Sequence, residues 1–378
     1  GLIAQMDGVD PAGHLTEAAT ITVNDGTGSS VVNANDGAML ASFTADIDFD
    51  VADTAANLAA QVASGIAQGY GADSLEDADS VFVESGAAVT AAQAESVQDI
   101  LNYSGGDIDI TDNAAALISA GDHVLNVNGV DVVTVDDGKG GSTVNANDGA
   151  ILAGFTADVA FDVVDDANAV AAEVAGAGVG SLDEALDVAV ISGDVNTADA
   201  AAIQQISGYN ETGSDYEITD NAGAVIGAGS SVIEDGGVTR VEVTGDASAL
   251  QGVDLNAYSA NVDFDVRDTA DAIATNSGNL GKADEVFVVS GGDAVDVAEA
   301  QAIQGLAGYQ TGASEYEIED NAAALISAGD NVLTNGNIHV DVNDGTGSSV
   351  VNANDGAILA GFTADIDFDV VDTAANIA

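Results

Sequence analysis

The chain has 378 residues, 47% of them hydrophobic but only 4% aromatic, so it can bury a continuous core built mainly of Ala, Val, Ile and Leu. Against 64 Asp and Glu stand only 4 Lys and Arg, and the formal net charge of −60 excludes nucleic acid and anionic lipid as direct partners, because both would be repelled. There is no Cys, which excludes disulfides and thiolate metal sites, and no run approaches the roughly 18 apolar residues of a membrane span.

From the start of the chain, Gly1 to Thr20 lacks a basic beginning and an unbroken apolar segment, so it does not read as a signal peptide. An export signal or anchor is expected outside this stretch. The segment NANDGAMLASFTADIDFDVADTAANLA from Asn33 returns from Asn145 and from Asn352, with a diverged copy from Leu250. The Phe of each FDV (Phe49, Phe161, Phe264 and Phe368) recurs after 112, 103 and 104 residues, so the chain holds about three and a half long repeats. We read a partial repeat over 1–46, repeats over 47–158, 159–261 and 262–365, and the start of a further one over 366–378, as a window on a longer array.

Each long repeat contains shorter units of one grammar: alternating residues that read as a strand, an Asp-led turn, then an Ala-rich apolar run. The first unit begins at Phe49 (FDV-ADTAANLA) and the second at Val81, with a helix expected over Ala91 to Leu101 and again over Ala198 to Ile206 and Val297 to Ala307. The third begins at Asp107 (DIDI-TDNAAALISA) and recurs from Tyr216 and Tyr316. There Asp112, Asp220 and Asp320 are expected as N-caps, and Gly121 and Gly329 as the exits from the helix. The fourth, VLNVNGVDVVTV from Val124, reads as strand. Strands alternating with short helices predict an α/β repeat, an elongated solenoid of short parallel strands with right-handed crossovers. The competing architecture is a string of tandem β-sandwich beads.

Calcium is the cofactor such a surface suggests, since hard cations take oxygen ligands from Asp, Asn and backbone in Gly-bearing loops. The candidate ligands are Asp25, Asn35, Asp36, Asp136, Asp137, Asn147, Asp148, Asp344, Asn354 and Asp355, each beside or within an Asn-Asp-Gly or Asp-Asp-Gly turn. The same dipeptides also build turns with no ion, and neither the EF-hand spacing nor the glycine-rich nonapeptide of β-rolls is present. Asp46, Asp48 and Asp50 alternate along one strand and form a second candidate, a carboxylate row repeated at Asp365, Asp367 and Asp369 and interrupted at Ala160. A plain solvated strand face gives the same pattern.

His14, His123 and His339 fall singly in turns or strands, and no metal or catalytic role is expected of them. Gly176 to Gly180 reads as a flexible turn. Tyr103, Tyr209 and Tyr309 recur after the second-unit helix, as helix-end packing or as an exposed sugar-stacking row. Paired carboxylates spread over every repeat suit a lattice better than an active site, so no enzyme is expected.

The phrases DTAANL at Asp53, DNAAALISAG at Asp112 and AEAQAIQ at Ala298 resemble those of giant, secreted repeat proteins on bacterial surfaces, notably in marine bacteria and cyanobacteria. The resemblance covers nearly the whole chain and implies an adhesin, surface-layer protein or extracellular filament, often calcium-dependent. The expectation is thus an extracellular structural protein whose partners are copies of itself and divalent cations, with no nucleic acid and no membrane insertion. The alternative is a binding module for glycan, mineral or host surface.

Overall fold

The computed structural model describes residues 21–23, 30–42, 47–68, 75–139, 141–345 and 348–377. Within them short strands and short helices alternate in a mixed α/β fold, and every described strand pair is parallel. Val266 pairs with Val286, Glu315 with Asn337 and Asp50 with Ser80, so a strand meets its partner after 20, 22 or 30 residues. A parallel return of that length needs a crossover, and the intervening helix supplies it. Sandwich beads would be built from antiparallel pairs, and none occurs among the described residues.

The chain divides into two compact units, one of residues 1–165, 172–189 and 205–210, the other of 166–171, 190–204 and 211–378. In the first, one sheet runs in the order Val31–Val32, Asp50–Thr54, Ser80–Glu84, Tyr103–Gly106, and another in the order Ile108–Asp112, Val130–Val135, Val159–Ala160. In the second, one sheet runs Asp194–Val195, Tyr216–Asp220, Val238–Val243, Val262–Asp263, and another runs Glu315–Asp320, Asn337–Val342, Ile366–Asp367.

The period of two sorts each strand into an inner and an outer row. Val81 and Val83 are buried while Phe82 between them stands exposed; likewise Tyr216 and Ile218, Val241 and Val243, and Val340 and Val342 turn inward in the second unit. Phe49, Phe161 and Phe264 are fully or almost fully buried. They also end a strand. Asp46 to Asp50, expected as one strand, splits at Phe49: Ile47–Asp48 pairs with Ile21–Thr22, whereas Asp50–Thr54 pairs with Val31–Val32 and Ser80–Glu84. The Phe49 carbonyl instead accepts a hydrogen bond from the Asp79 amide at 2.8 Å. The repeat copy divides in the same way, Asp367 facing Asp341 and Asp369 facing Val350.

The expected N-caps are displaced by one residue. Asn113, Asn221 and Asn321 cap helices Ala114–Ala120, Ala222–Ala228 and Ala322–Ala328, and Gly121, Gly229 and Gly329 end them at φ of 62°, 77° and 69°. Asp112, Asp220 and Asp320 belong to the preceding strand and reach back to an earlier helix. Their Oδ2 atoms accept from the first helical amides of Ala91, Thr197 and Val297 at 3.1, 3.2 and 3.2 Å. Asp53, Asp165, Asp268 and Asp372 do the same for Ala34, Ala146, Ala249 and Ala353 at 3.0 to 3.1 Å. Each helix so held therefore has two caps, one local and one from a strand about 20 residues later. The fourth unit, expected as strand throughout, opens with a short helix, Asp122–Leu125, before strand Val130–Val135.

Candidate functional site

Among the described residues, six of the candidate calcium residues lie in first turns of helices and three in turns that accept backbone amides. Asn35 and Asp36, Asn147 and Asp148, and Asn354 and Asp355 lie in the first turns of helices Ala34–Ala41, Ala146–Ala153 and Ala353–Leu359, not in turns between elements. In each case the preceding Asn (Asn33, Asn145, Asn352) accepts from the Asp amide at 2.9 Å and donates its own side-chain amide to that carboxylate. A carboxylate in the first turn also favours the positive end of the helix dipole. The glycines that follow are required by packing: a Cβ on Gly149 would sit 2.7 Å from Val163 and 3.3 Å from Phe161, and one on Gly37 2.6 Å from Val51.

Asp136, Asp137 and Asp344 do lie in turns. Asp137 Oδ1 accepts from the amides of Lys139 and Gly141, Asp136 Oδ1 from Gly138, and Asp344 Oδ1 from Ser348. Gly138 and Gly345, at φ of 77° and 79°, supply the left-handed residue of these loops. Asp50 accepts from the hydroxyls of Ser30 and Ser80 at 2.8 Å each, and Asp48 is exposed. Asp25, Asp46 and His14 lie outside the described residues.

The structure gathers chemistry at a place the sequence did not single out. On the sheet of strands Glu315–Asp320, Asn337–Val342 and Ile366–Asp367, the register sets Glu317 opposite His339 and Glu319 opposite Asp341, which in turn faces Asp367. Tyr316, Ile318, Val340 and Val342 point into the core, so all of these polar side chains stand on the outer face. Ligand atoms of Glu317, His339 and Asp341 all lie within 4.8 Å of one another. His339 Nε2 is 3.5 Å from Asp341 Oδ1 and 3.6 Å from Asp367 Oδ2. A hydrogen bond with the Asp341 carboxyl, then partial burial and the neighbouring negative charge, pushes the Glu317 carboxyl above its usual range. Beside the cluster opens a shallow polar cleft of about 500 Å³, edged by Ser290 to Asp293 and by Asp365. His339 thus does not stand alone, contrary to the expectation from its position in the chain.

The equivalent positions in the neighbouring repeat are occupied by a built-in cation. There Glu217 pairs with Arg240 and Glu242 with Asp263, and the Arg240 guanidinium lies 3.4 Å from Glu217, 3.0 Å from Glu242 and 2.5 Å from Asp263. In the first unit the same positions hold Val132 beside Asp109, with Thr134 and Ala160 in place of the other two carboxylates. Among the described residues, a base stands at this position only where three carboxylates surround it.

Tyr103 and Tyr309 are half-buried, and the Tyr309 hydroxyl donates to the Asn335 carbonyl at 2.8 Å. No helix among the described residues is long and apolar enough to cross a membrane. Compared with protein-family models, with curated proteins and with solved structures, the chain matches none.

Proposed function

We propose that the chain is a structural extracellular repeat protein whose strand–helix units continue as an elongated solenoid. In this reading it builds a surface layer, sheath or filament whose acidic faces are bridged by divalent cations. The observation that carries this reading is the Asp that recurs at or near the end of a strand and caps the helix of an earlier unit, at Asp53, Asp112, Asp165, Asp220, Asp268, Asp320 and Asp372. A device that ties each unit to one already laid down extends by repetition, which is how quasi-one-dimensional proteins are stabilised. The outward carboxylates of adjacent strands, about 4.8 Å apart in a sheet, then form rows that only cations can neutralise.

Negative-stain microscopy with millimolar calcium and again with chelator tests the proposal. Ordered fibres or sheets that disperse on chelation support it. Single particles in both conditions overturn it and favour a binding module that recognises glycan or mineral through the same acidic face.

A further inference from the structure

A base at one position of the outer sheet face changes its chemistry between repeats while its acidic neighbours stay. At Arg240 it is a permanent cation whose guanidinium reaches three carboxylates directly. At His339 it is an imidazole, a nitrogen ligand, with Glu317, Asp341 and Asp367 in the positions of Glu217, Glu242 and Asp263. The imidazole is shorter and does not close on its carboxylates as the Arg240 guanidinium does, which leaves a place for a cation from outside.

The spacing says what could fill it. At 3.5 and 3.6 Å, His339 Nε2 is too far from Asp341 and Asp367 for a good hydrogen bond, which needs about 2.7–3.2 Å. Ligand atoms held about 2.1 Å from a tetrahedral metal ion, however, lie about 3.4 Å from each other. One imidazole nitrogen with two or three carboxylate oxygens is a donor set for a borderline divalent ion, whereas calcium and magnesium prefer oxygen alone.

We propose that Glu317, His339 and Asp341, assisted by Asp367, bind one divalent transition-metal ion of the zinc class. The imidazole distinguishes this rung from the all-oxygen acidic rows, so the site is selective against calcium. It is independent of the assembly proposed above, since an isolated chain would bind the ion as well as a filament.

The test is zinc titration of the full chain at pH 7 in a large excess of calcium, followed by calorimetry or by competition with a chromophoric chelator. Wild type is expected to take up one equivalent that calcium does not displace. His339→Arg installs the residue found at 240 and is expected to fold with a melting midpoint in chelator no lower than that of wild type while losing that equivalent. His339→Ala should weaken it at least tenfold. Cobalt added in place of zinc should give the visible absorption of a tetrahedral N/O site in wild type and none in the Arg variant. Zinc uptake that is equal in wild type and His339→Arg, or that millimolar calcium abolishes, overturns the proposal.

Discussion

Asp220 accepts four hydrogen bonds with two oxygens: Oδ2 from the amide and hydroxyl of Thr197 at 3.2 and 2.8 Å, Oδ1 from the amide and side chain of Asn221 at 2.8 and 3.0 Å. Burial works against its charged form, but these donors outweigh that penalty and hold its carboxyl below the ordinary value of 3.8. Asp53 is lowered by the same balance, with Asn57, Ala34 and Thr54 as donors; Asp372 is lowered chiefly by the amides of Ala353 and Thr373. A carboxyl whose folded pKa is depressed contributes stability above its unfolded value and loses it as pH falls through the folded one. Asp220→Ala is therefore expected to destabilise by about 1–2 kcal/mol at pH 7, the usual cost of losing a helix cap. Asp220→Asn should also destabilise, because its single amide oxygen can serve the Thr197 donors or the Asn221 donors but its NH2 turns a donor toward the other pair. In denaturant titrations repeated at falling pH, the gap between wild type and Asp220→Ala should narrow below about pH 3.8 as the wild-type carboxyl takes up its proton. A gap that stays constant down to pH 2 would show that the carboxylate charge contributes nothing.

At the scale of the element, the alternation of strand and helix was legible because every cue for it is local: Asp-led turns, Ala-rich runs, exit glycines at 121 and 329, and a period of two in the strands. What was not legible depends on contacts between units. Asp112 and Asn113 are equally good cap residues, and nothing within the segment reveals that Asp112 is claimed by the amide of Ala91, a unit earlier. Asn147-Asp148-Gly149 was read as a turn because its dipeptides favour one, yet the glycine is helical and makes room for Val163 and Phe161. The diverged copy held the clue: Ser248, Gln251 and Gly252 keep the cap, its partner and the glycine after the turn-forming dipeptide has gone. His339 joins Glu317 only through strand register, 22 residues away, although aligning its segment with that of Arg240 would have exposed the exchange. Gly149→Ala separates the two readings of that glycine. In a turn or an open helix, alanine would be neutral or stabilising by up to about 1 kcal/mol. Against Val163 and Phe161 it should instead destabilise, overpacking costing about 1–3 kcal/mol less that helical gain, as read from the denaturant midpoint.

At the scale of the whole molecule the charge dominates. In water two unit charges interact by thermal energy at about 7 Å, farther apart than neighbouring strands, which lie about 4.8 Å apart. Glu319, Asp341 and Asp367 occupy one such rung, and with 4 basic residues against 64 acidic ones few carboxylates can find an oppositely charged side chain within the chain. Folding gathers these charges and unfolding disperses them, so self-repulsion falls on the native state. Screening must then stabilise it. Raising NaCl from about 0.01 to 0.1 M shortens the Debye length from about 30 to 10 Å, and the melting midpoint should rise. Calcium at matched ionic strength should raise it further, because an ion held between two carboxylates neutralises both where diffuse screening only weakens their field. Equal midpoints in sodium and calcium would leave screening and remove bridging, and with it the cement of the proposed assembly. A midpoint indifferent to either salt would mean that the acidic rows, for all their density, are not what limits the fold.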